Sequence, residues 1–206
     1  MKQFGSNTWV KYLLALGVFM ALCATAQAEE KTPHAIVSEV TDILVGAAKA
    51  NASNDDQAAF DATVLEALEP VVAFDYIARV VMGDHFKQAN SEQREQFAKL
   101  LKTSLVSTYA KGIATYAESD IHVVPPSEPV ADKRRVAVVQ EVSYEGESHK
   151  LSYTMQKNRS GEWKLTNLIL NGVNLGRSLS SQFSQLASRH NGDIDKVING
   201  WEDSDS

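Results

Sequence analysis

A change in the spacing of apolar residues decides the fold, and it falls in residues 135–157, RVAVVQEVSYEGESHKLSYTMQK. Apolar side chains recur there at every second position, which is the period of a β-strand that buries one face. The segment EGES at residues 145–148 interrupts the alternation and is typical of a tight turn. The stretch therefore predicts a β-hairpin. Its inward side chains are predicted to be Val136, Val138, Val142 and Tyr144 on the first strand and Leu151, Tyr153 and Met155 on the second.

The sheet is expected to extend beyond this hairpin. A second turn, NRSG at residues 158–161, leads to a strand with Trp163, Leu165 and Ile169 inward, and residues 121–124 are a candidate edge strand. Connections this short join antiparallel strands. The opposite face is then exposed to water, and its predicted residues are Lys150, Ser152, Thr154, Gln156, Lys164 and Thr166.

Helices are predicted before and after the sheet. Apolar residues recur at helical spacing between residues 32 and 117 and again after residue 172. Asp75 is predicted to cap a short helix, and Asn90 with Gln93 forms the capping-box pattern of the longest one. The inner face of that longest helix is predicted to consist of Phe97, Leu101, Leu105, Tyr109, Gly112 and Tyr116. We therefore predict an α+β fold, with helices packed on one face of a curved antiparallel sheet.

The N-terminal segment, residues 1–28, is predicted to be a secretory signal peptide that precedes a single domain, residues 29–206. It has a basic start, an apolar run of 13 residues and a small-x-small end. That run is shorter than the roughly 20 residues of a membrane-spanning helix. Cleavage is expected before Glu29, and lipoprotein processing before Cys23 is the alternative, disfavoured because a leucine precedes that cysteine. An exported domain without cysteine favours a Gram-negative periplasm.

Composition and motif content exclude several classes of protein. The 206 residues include 20 Lys and Arg against 26 Asp and Glu, a formal net charge of -6, so the chain lacks the positive charge that nucleic-acid binding requires. The sequence contains no hydrolase, phosphate-loop or zinc-protease motif, and its five histidines are too widely spaced for a metal-binding pair. No catalytic or metal-ligating residue is assigned, and neither an enzyme nor a cofactor is expected.

Apolar surface between the longest helix and the sheet is the remaining candidate site. Such surface is ordinarily core, but Gly112 leaves space on the helix, and Tyr and Met side chains tolerate an irregular apolar filling. We therefore interpret this surface as a candidate ligand pocket. Its predicted lining comprises Leu101, Leu105, Tyr109, Gly112, Tyr116, Val138, Val142, Tyr144, Leu151, Tyr153, Met155 and Leu165.

The segment FDYIARVVMG at residues 74–83 resembles the signature of the MlaC family, also called the toluene-tolerance family. The resemblance continues through Phe86-Lys87, Gln93-Arg94, Phe97, Leu105, Tyr109 and Tyr116, and from Gly161-Glu162-Trp163 to Asn171-Gly172-Val173-Asn174-Leu175. It covers roughly residues 36–201. Three positions depart from the family pattern, which usually has Asp at Asn167, Ser at Asn174 and often Trp or Tyr at Phe86.

This resemblance implies a helix-on-sheet fold that encloses an apolar cavity for phospholipid acyl chains, with the head group at the mouth. It also implies a periplasmic carrier in the Mla lipid-transport system, which maintains outer-membrane lipid asymmetry. The implied partners are an inner-membrane ABC transporter with an MCE-domain ring and an outer-membrane lipoprotein and porin complex, and phospholipid is the implied cargo.

Two other functions remain open from the residues alone. A small periplasmic hydrolase on the same fold is the first, and a cluster of carboxyl groups with shifted pKa values inside the pocket would favour it. A protein-binding chaperone is the second, and it would expose an apolar groove instead of enclosing a cavity.

Overall fold

The computed structural model describes residues 31–52 and 56–204, and it folds into helices packed against one antiparallel sheet. In chain order the elements are α1 (Pro33–Asn51), α2 (Gln57–Leu68), α3 (Phe74–Met82), α4 (His85–Gln88), α5 (Ser91–Thr115), β1 (Asp120–Val123), β2 (Arg135–Tyr144), β3 (Glu147–Lys157), β4 (Trp163–Leu170), β5 (Val173–Asn174), α6 (Leu175–Arg189) and α7 (Ile194–Ser204). The predicted α+β class is confirmed. The predicted signal peptide and its cleavage site lie outside the described residues.

The sheet is a meander with the strand order β1-β2-β3-β4-β5, and neighbouring strands run antiparallel. Two-residue turns join β2 to β3 and β4 to β5. The second turn is Asn171-Gly172, with φ angles of 48° and 85°. Positive φ at both central residues twists a hairpin in the sense that its strands require, which explains the Asn-Gly pair. The chain thus forms β5 before it returns to helix, a short strand that the periodicity does not reveal.

Side chains cap the helices where the sequence predicts a cap, with one exception. The Asn90 side chain accepts a hydrogen bond from the backbone N–H of Gln93 at 2.9 Å, and the Gln93 side chain accepts one from the backbone N–H of Asn90 at 3.0 Å. Asp75, however, lies in the first turn of α3, and Ala73 is the N-cap residue. The backbone N–H of Ala73 donates to the Leu165 carbonyl at 3.0 Å. Pairing with β4 therefore starts α3 earlier than its side chains suggest.

The described hydrophobic core has three parts: one between α1, α2 and α5, a second helical part, and a sheet part. In the second helical part, the Phe97 ring meets the rings of Phe183 and Trp201 edge-on, with centroids 4.8 and 5.3 Å apart. α3, α5, α6 and α7 meet around these rings. The sheet part contains Val37, Val136, Val138, Tyr153, Met155 and Trp163. Together they fix the two layers that face each other across the site described below.

The predicted inner and outer faces of β3 require a correction at Thr154. This side chain was expected to face water, yet only 9% of its surface is exposed. Thr154 lies in the central strand of the sheet, and the β3–β4 register shifts between Thr154 and Met155. The shift leaves Thr166 of β4 without a partner on β3, so the faces of β4 exchange beyond it, and Leu168 and Leu170 lie inward in place of the predicted Ile169. Thr154 itself lies between Ala137 of β2 and Asn167 of β4, and burial between two strands is not contained in a period of two.

None of the helices within residues 31–52 and 56–204 combines the length and the apolar character needed to span a bilayer.

Candidate functional site

A cavity of about 420 Å³ lies between the inner face of the sheet and the helices α1, α3 and α5. This volume is within the range of small-molecule binding sites, roughly 300–1,000 Å³. The α1 wall is formed by Ile36, Val37, Val40 and Thr41, and the start of α6 contributes Leu175, Gly176 and Leu179. The cavity therefore separates the two layers of the fold where an ordinary domain would be filled by side chains.

Nine of the twelve residues assigned to the pocket from the sequence are in the cavity wall. They are Leu105, Tyr109, Gly112, Tyr116, Val142, Leu151, Tyr153, Met155 and Leu165. An added Cβ at Gly112 would meet no atom within 4 Å, so this glycine faces open space. The structure thus brings helix and sheet positions together around one cavity.

The other three assigned residues lie elsewhere. Leu101 packs in the helical core because α5 has 25 residues, about 37 Å, and its first half is covered by α6 and α7. Val138 is fully buried in the sheet part of the core. Tyr144 packs its ring edge-on against Tyr116 at 5.3 Å, outside the wall. Helical and strand periods indicate a face, whereas neighbouring elements decide which part of that face borders the cavity.

Several wall residues carry signals that the sequence assignment did not use. α1 and α3 supply apolar wall residues such as Val40 and Ile77. Gln140 follows Val136 and Val138 in the same alternation, and it lies inward with only 3% of its surface exposed. The period of β2 therefore placed a polar side chain in the apolar face.

A chain of hydrogen bonds satisfies Gln140 and links three elements. The Gln140 amide Nε2 donates to Thr41 Oγ1 at 2.8 Å, and Thr41 Oγ1 donates to the Val37 carbonyl at 2.8 Å. The Tyr153 hydroxyl donates to Gln140 Oε1 at 2.8 Å and is itself hydrogen-bonded to Tyr109. The chain thus connects α1, the sheet and α5 along the cavity wall.

Both tyrosines of this chain are neutral near pH 7, and burial extends their neutral range to higher pH. It raises the pKa of Tyr109 above its usual value, although the hydrogen bond with Tyr153 opposes the rise. Burial also raises the pKa of Tyr153 well above 10, and the charge and the hydrogen bond of Tyr109 act in the same direction. The wall therefore presents neutral hydroxyl and amide groups.

Exposure along β3 shows which end of the cavity opens. Met155 is 1% exposed and Tyr153 5%, whereas Leu151 is partly exposed and the side chain of His149 is 23% exposed. On the neighbouring strand, the wall residue Leu170 is 37% exposed. The mouth thus lies at the end of the sheet that carries His149 and the Asn171-Gly172 turn, and the floor lies near Met155.

The chemistry of the wall is limited to apolar, hydroxyl, amide and imidazole groups. Among the described residues, no Asp, Glu, Lys or Arg lines the cavity. The same part of the chain contains no cluster of three or more His, Cys, Asp or Glu residues that would hold a metal ion. The carboxyl cluster on which the hydrolase alternative depends is thus missing from the described wall.

Known proteins resemble this chain over nearly its whole length. The family model described as MlaC protein matches residues 36–203. A toluene tolerance protein, Ttg2D, from Pseudomonas putida is 34% identical over 92% of this chain and 86% of its own length. The intermembrane phospholipid transport system binding protein MlaC from Haemophilus influenzae is 26% identical over 71% of this chain and 70% of its own length.

A solved structure shares the fold. The phospholipid-binding protein from Ralstonia solanacearum, in complex with a phospholipid, superimposes with a TM-score of 0.72 at 23% identity. The superposition covers 85% of this chain and 97% of that one. The family predicted from the segment at residues 74–83 is therefore confirmed: the chain belongs to the MlaC family.

Proposed function

We propose that this protein is a periplasmic phospholipid carrier that shuttles glycerophospholipid between outer-membrane and inner-membrane Mla complexes. The proposal depends chiefly on one observation, a largely apolar cavity that separates the helices from the sheet and becomes exposed toward His149. Two similar proteins support the proposal, because one is named as a phospholipid transport binding protein and the other as a phospholipid-binding protein. The proposed donor and acceptor are an outer-membrane lipoprotein and porin complex and an inner-membrane ABC transporter with an MCE-domain ring.

The length of the cavity suits lipid chains. Six residues of β3 separate His149 at the mouth from Met155 at the floor, which corresponds to about 20 Å of strand. The hydrocarbon of one bilayer leaflet is about 15 Å deep. Acyl chains that end near Met155 would therefore leave the glycerol and the head group close to the mouth.

Energetics explain why such a cargo needs a carrier and how it can leave again. Burying about 28 methylenes of a diacyl lipid is worth roughly 22 kcal/mol, so transfer through free water is negligible. A bilayer hides the same methylenes equally well. Transfer between membrane and cavity is then close to balanced, and small differences in docking set its direction.

The charge of the protein favours delivery by protein docking. The chain has a formal net charge of -6, which opposes long residence on anionic lipid surfaces. Carriage between two protein complexes requires brief and specific encounters, and complementary charges on partner surfaces supply them.

Native mass spectrometry of the purified protein, followed by lipid extraction, tests the proposal. We expect one phospholipid bound to each chain. Folded protein that carries no lipid, and that takes none from vesicles, would contradict the carrier function. Release of fatty acid from the bound lipid would instead indicate the hydrolase function. Co-purification of an unfolded polypeptide would indicate the chaperone function.

A further inference from the structure

His149 presents an imidazole ring at the cavity mouth, and two neighbours hold the ring in place. The ring packs edge-on against Tyr116, with centroids 5.4 Å apart. Its Nδ1 atom lies 3.1 Å from Nδ2 of Asn171. Within the described residues, no other histidine borders the cavity.

Hydrogen bonds around Asn171 decide which ring nitrogen of His149 carries the proton. The backbone N–H of Lys150 donates to Asn171 Oδ1 at 2.8 Å. Because a backbone N–H only donates, this bond identifies the oxygen of the amide, and Nδ2 must point to His149. Nδ2 also only donates, so Nδ1 of the ring accepts and carries no proton. The proton of the neutral ring is then on Nε2.

The Nε2–H group of His149 has no hydrogen bond within the described part of the chain. Its nearest acidic atom is Glu147 Oε2 at 3.9 Å, which is beyond hydrogen-bond distance. The Glu147 side chain is 81% exposed and can turn toward water. The Nε2–H group of His149 is therefore a neutral hydrogen-bond donor at the mouth of the cavity.

We propose, on the basis of the carrier function above, that His149 Nε2–H donates a hydrogen bond to a phosphodiester oxygen of the bound lipid. Asn171 is the positioning residue that fixes the tautomer. The 20 Å between Met155 and His149 slightly exceeds the depth of one leaflet, so the phosphate of a lodged lipid lies near this ring. A neutral donor holds anionic and zwitterionic lipids alike, and it binds less tightly than an arginine fork, which suits release.

Nitrogen-15 NMR of the imidazole at about pH 8, where an ordinary histidine is neutral, tests the tautomer without lipid. We expect the proton of His149 on Nε2. In Asn171→Gly, which retains the left-handed turn, we expect the two tautomers to average. A wild-type signal with the proton on Nδ1 would overturn the assignment, whether or not other variants fold.

Loading of delipidated protein from a dispersion of phosphatidylglycerol alone or of diacylglycerol alone tests the phosphate contact, because no other phosphate-bearing lipid then competes for the cavity. We expect His149→Leu to lower the retention of phosphatidylglycerol about tenfold while the retention of diacylglycerol is unchanged. His149→Gln keeps a neutral donor and should restore most of the retention. His122→Leu, at an exposed position of β1 outside the wall, is the matched control and should behave as wild type.

The outcomes separate this inference from the carrier function. If His149→Leu retains each lipid as well as wild type does, the phosphate contact is overturned and the carrier function is not. An equal loss of both lipids would assign the ring to the glycerol esters or to packing, which also overturns it. A wild-type protein that loads neither lipid would overturn the carrier function, and the phosphate contact with it.

Discussion

The hydrogen bonds from Tyr109 to Thr41 cross a largely apolar wall, so each member depends on the next. Removing the Tyr153 hydroxyl leaves Gln140 Oε1 without its donor in a buried site. We expect Tyr153→Phe to lower the free energy of unfolding by about 1–3 kcal/mol, measured by urea denaturation. Tyr144→Phe, on a ring outside the cavity, should change it by less than about 0.5 kcal/mol. Equal effects of the two variants would contradict a structural role for the chain.

The same tyrosines predict how stability depends on pH. Burial raises the pKa of Tyr109 and Tyr153 in the folded protein, whereas both titrate near pH 10 in the unfolded chain. Their contribution is therefore complete below about pH 10 and is lost as the pH rises further, because the unfolded state then releases protons that the folded state keeps. Urea denaturation at a series of pH values above about 10 should show the free energy of unfolding falling as the pH rises. In Tyr153→Phe the free energy of unfolding should fall less steeply with pH. An unchanged dependence on pH would contradict the raised pKa of Tyr153.

Charge on the inner face of β3 distinguishes cavity from core. Leu151 lines the cavity and is partly exposed, so an aspartate there can be hydrated when the cavity is empty. We expect Leu151→Asp to fold but to lose bound lipid. Met155 is 1% exposed, and Met155→Asp buries an unpaired carboxyl group and should unfold the domain. Circular dichroism melts with lipid extraction separate the two results, and Ala137→Asp on the exposed outer face is the control.

At the scale of elements, periodicity predicted the longer helices and strands because each buries one face, whereas α4 and β5 are too short to show a period. The capping box at Asn90 is local and was predicted, whereas Asn171-Gly172 was interpreted as the start of the following helix and forms a hairpin turn to β5 instead. The start of α3 and the burial of Thr154 depend on pairing between distant segments, Ala73 with Leu165 and β3 with β4. No local pattern contains that information.

Gly112 on α5 offers a test of the helix wall. A Cβ added there would meet no atom within 4 Å, so we expect a leucine side chain to extend into the cavity. We expect Gly112→Leu to stabilise the lipid-free protein by about 1 kcal/mol, because glycine weakens a helix, and to reduce lipid loading. Gly46→Leu on α1, whose added Cβ also meets no atom but at an exposed position, should stabilise the helix and leave loading unchanged. Full loading of Gly112→Leu would show that lipid does not occupy this wall.

At the scale of the whole molecule, the cavity is a consequence of how layers pack, and the sequence predicted only part of its wall. Helix and strand faces identified nine wall residues. The wall residues that α1, α3 and α6 contribute depend on tertiary packing. The polar chain has one signal in the sequence, the position of Gln140 in the inward alternation of Val136 and Val138. The family resemblance supplied the expected cargo, which periodicity alone does not specify.

Removal of lipid should destabilise the whole domain, because a ligand that binds only the folded state adds stability by mass action. Free lipid at 100 times its dissociation constant adds about 2.7 kcal/mol, which for a chain of this size corresponds to a melting temperature roughly 5–10 °C higher. We expect delipidated protein to melt lower by about this amount and to recover when vesicles restore the cargo. In Gly112→Leu the difference should shrink, because the leucine already fills part of the space that the lipid would occupy. Identical melting of loaded and delipidated wild-type protein, measured by circular dichroism, would mean that the cavity does not bind lipid in the folded state.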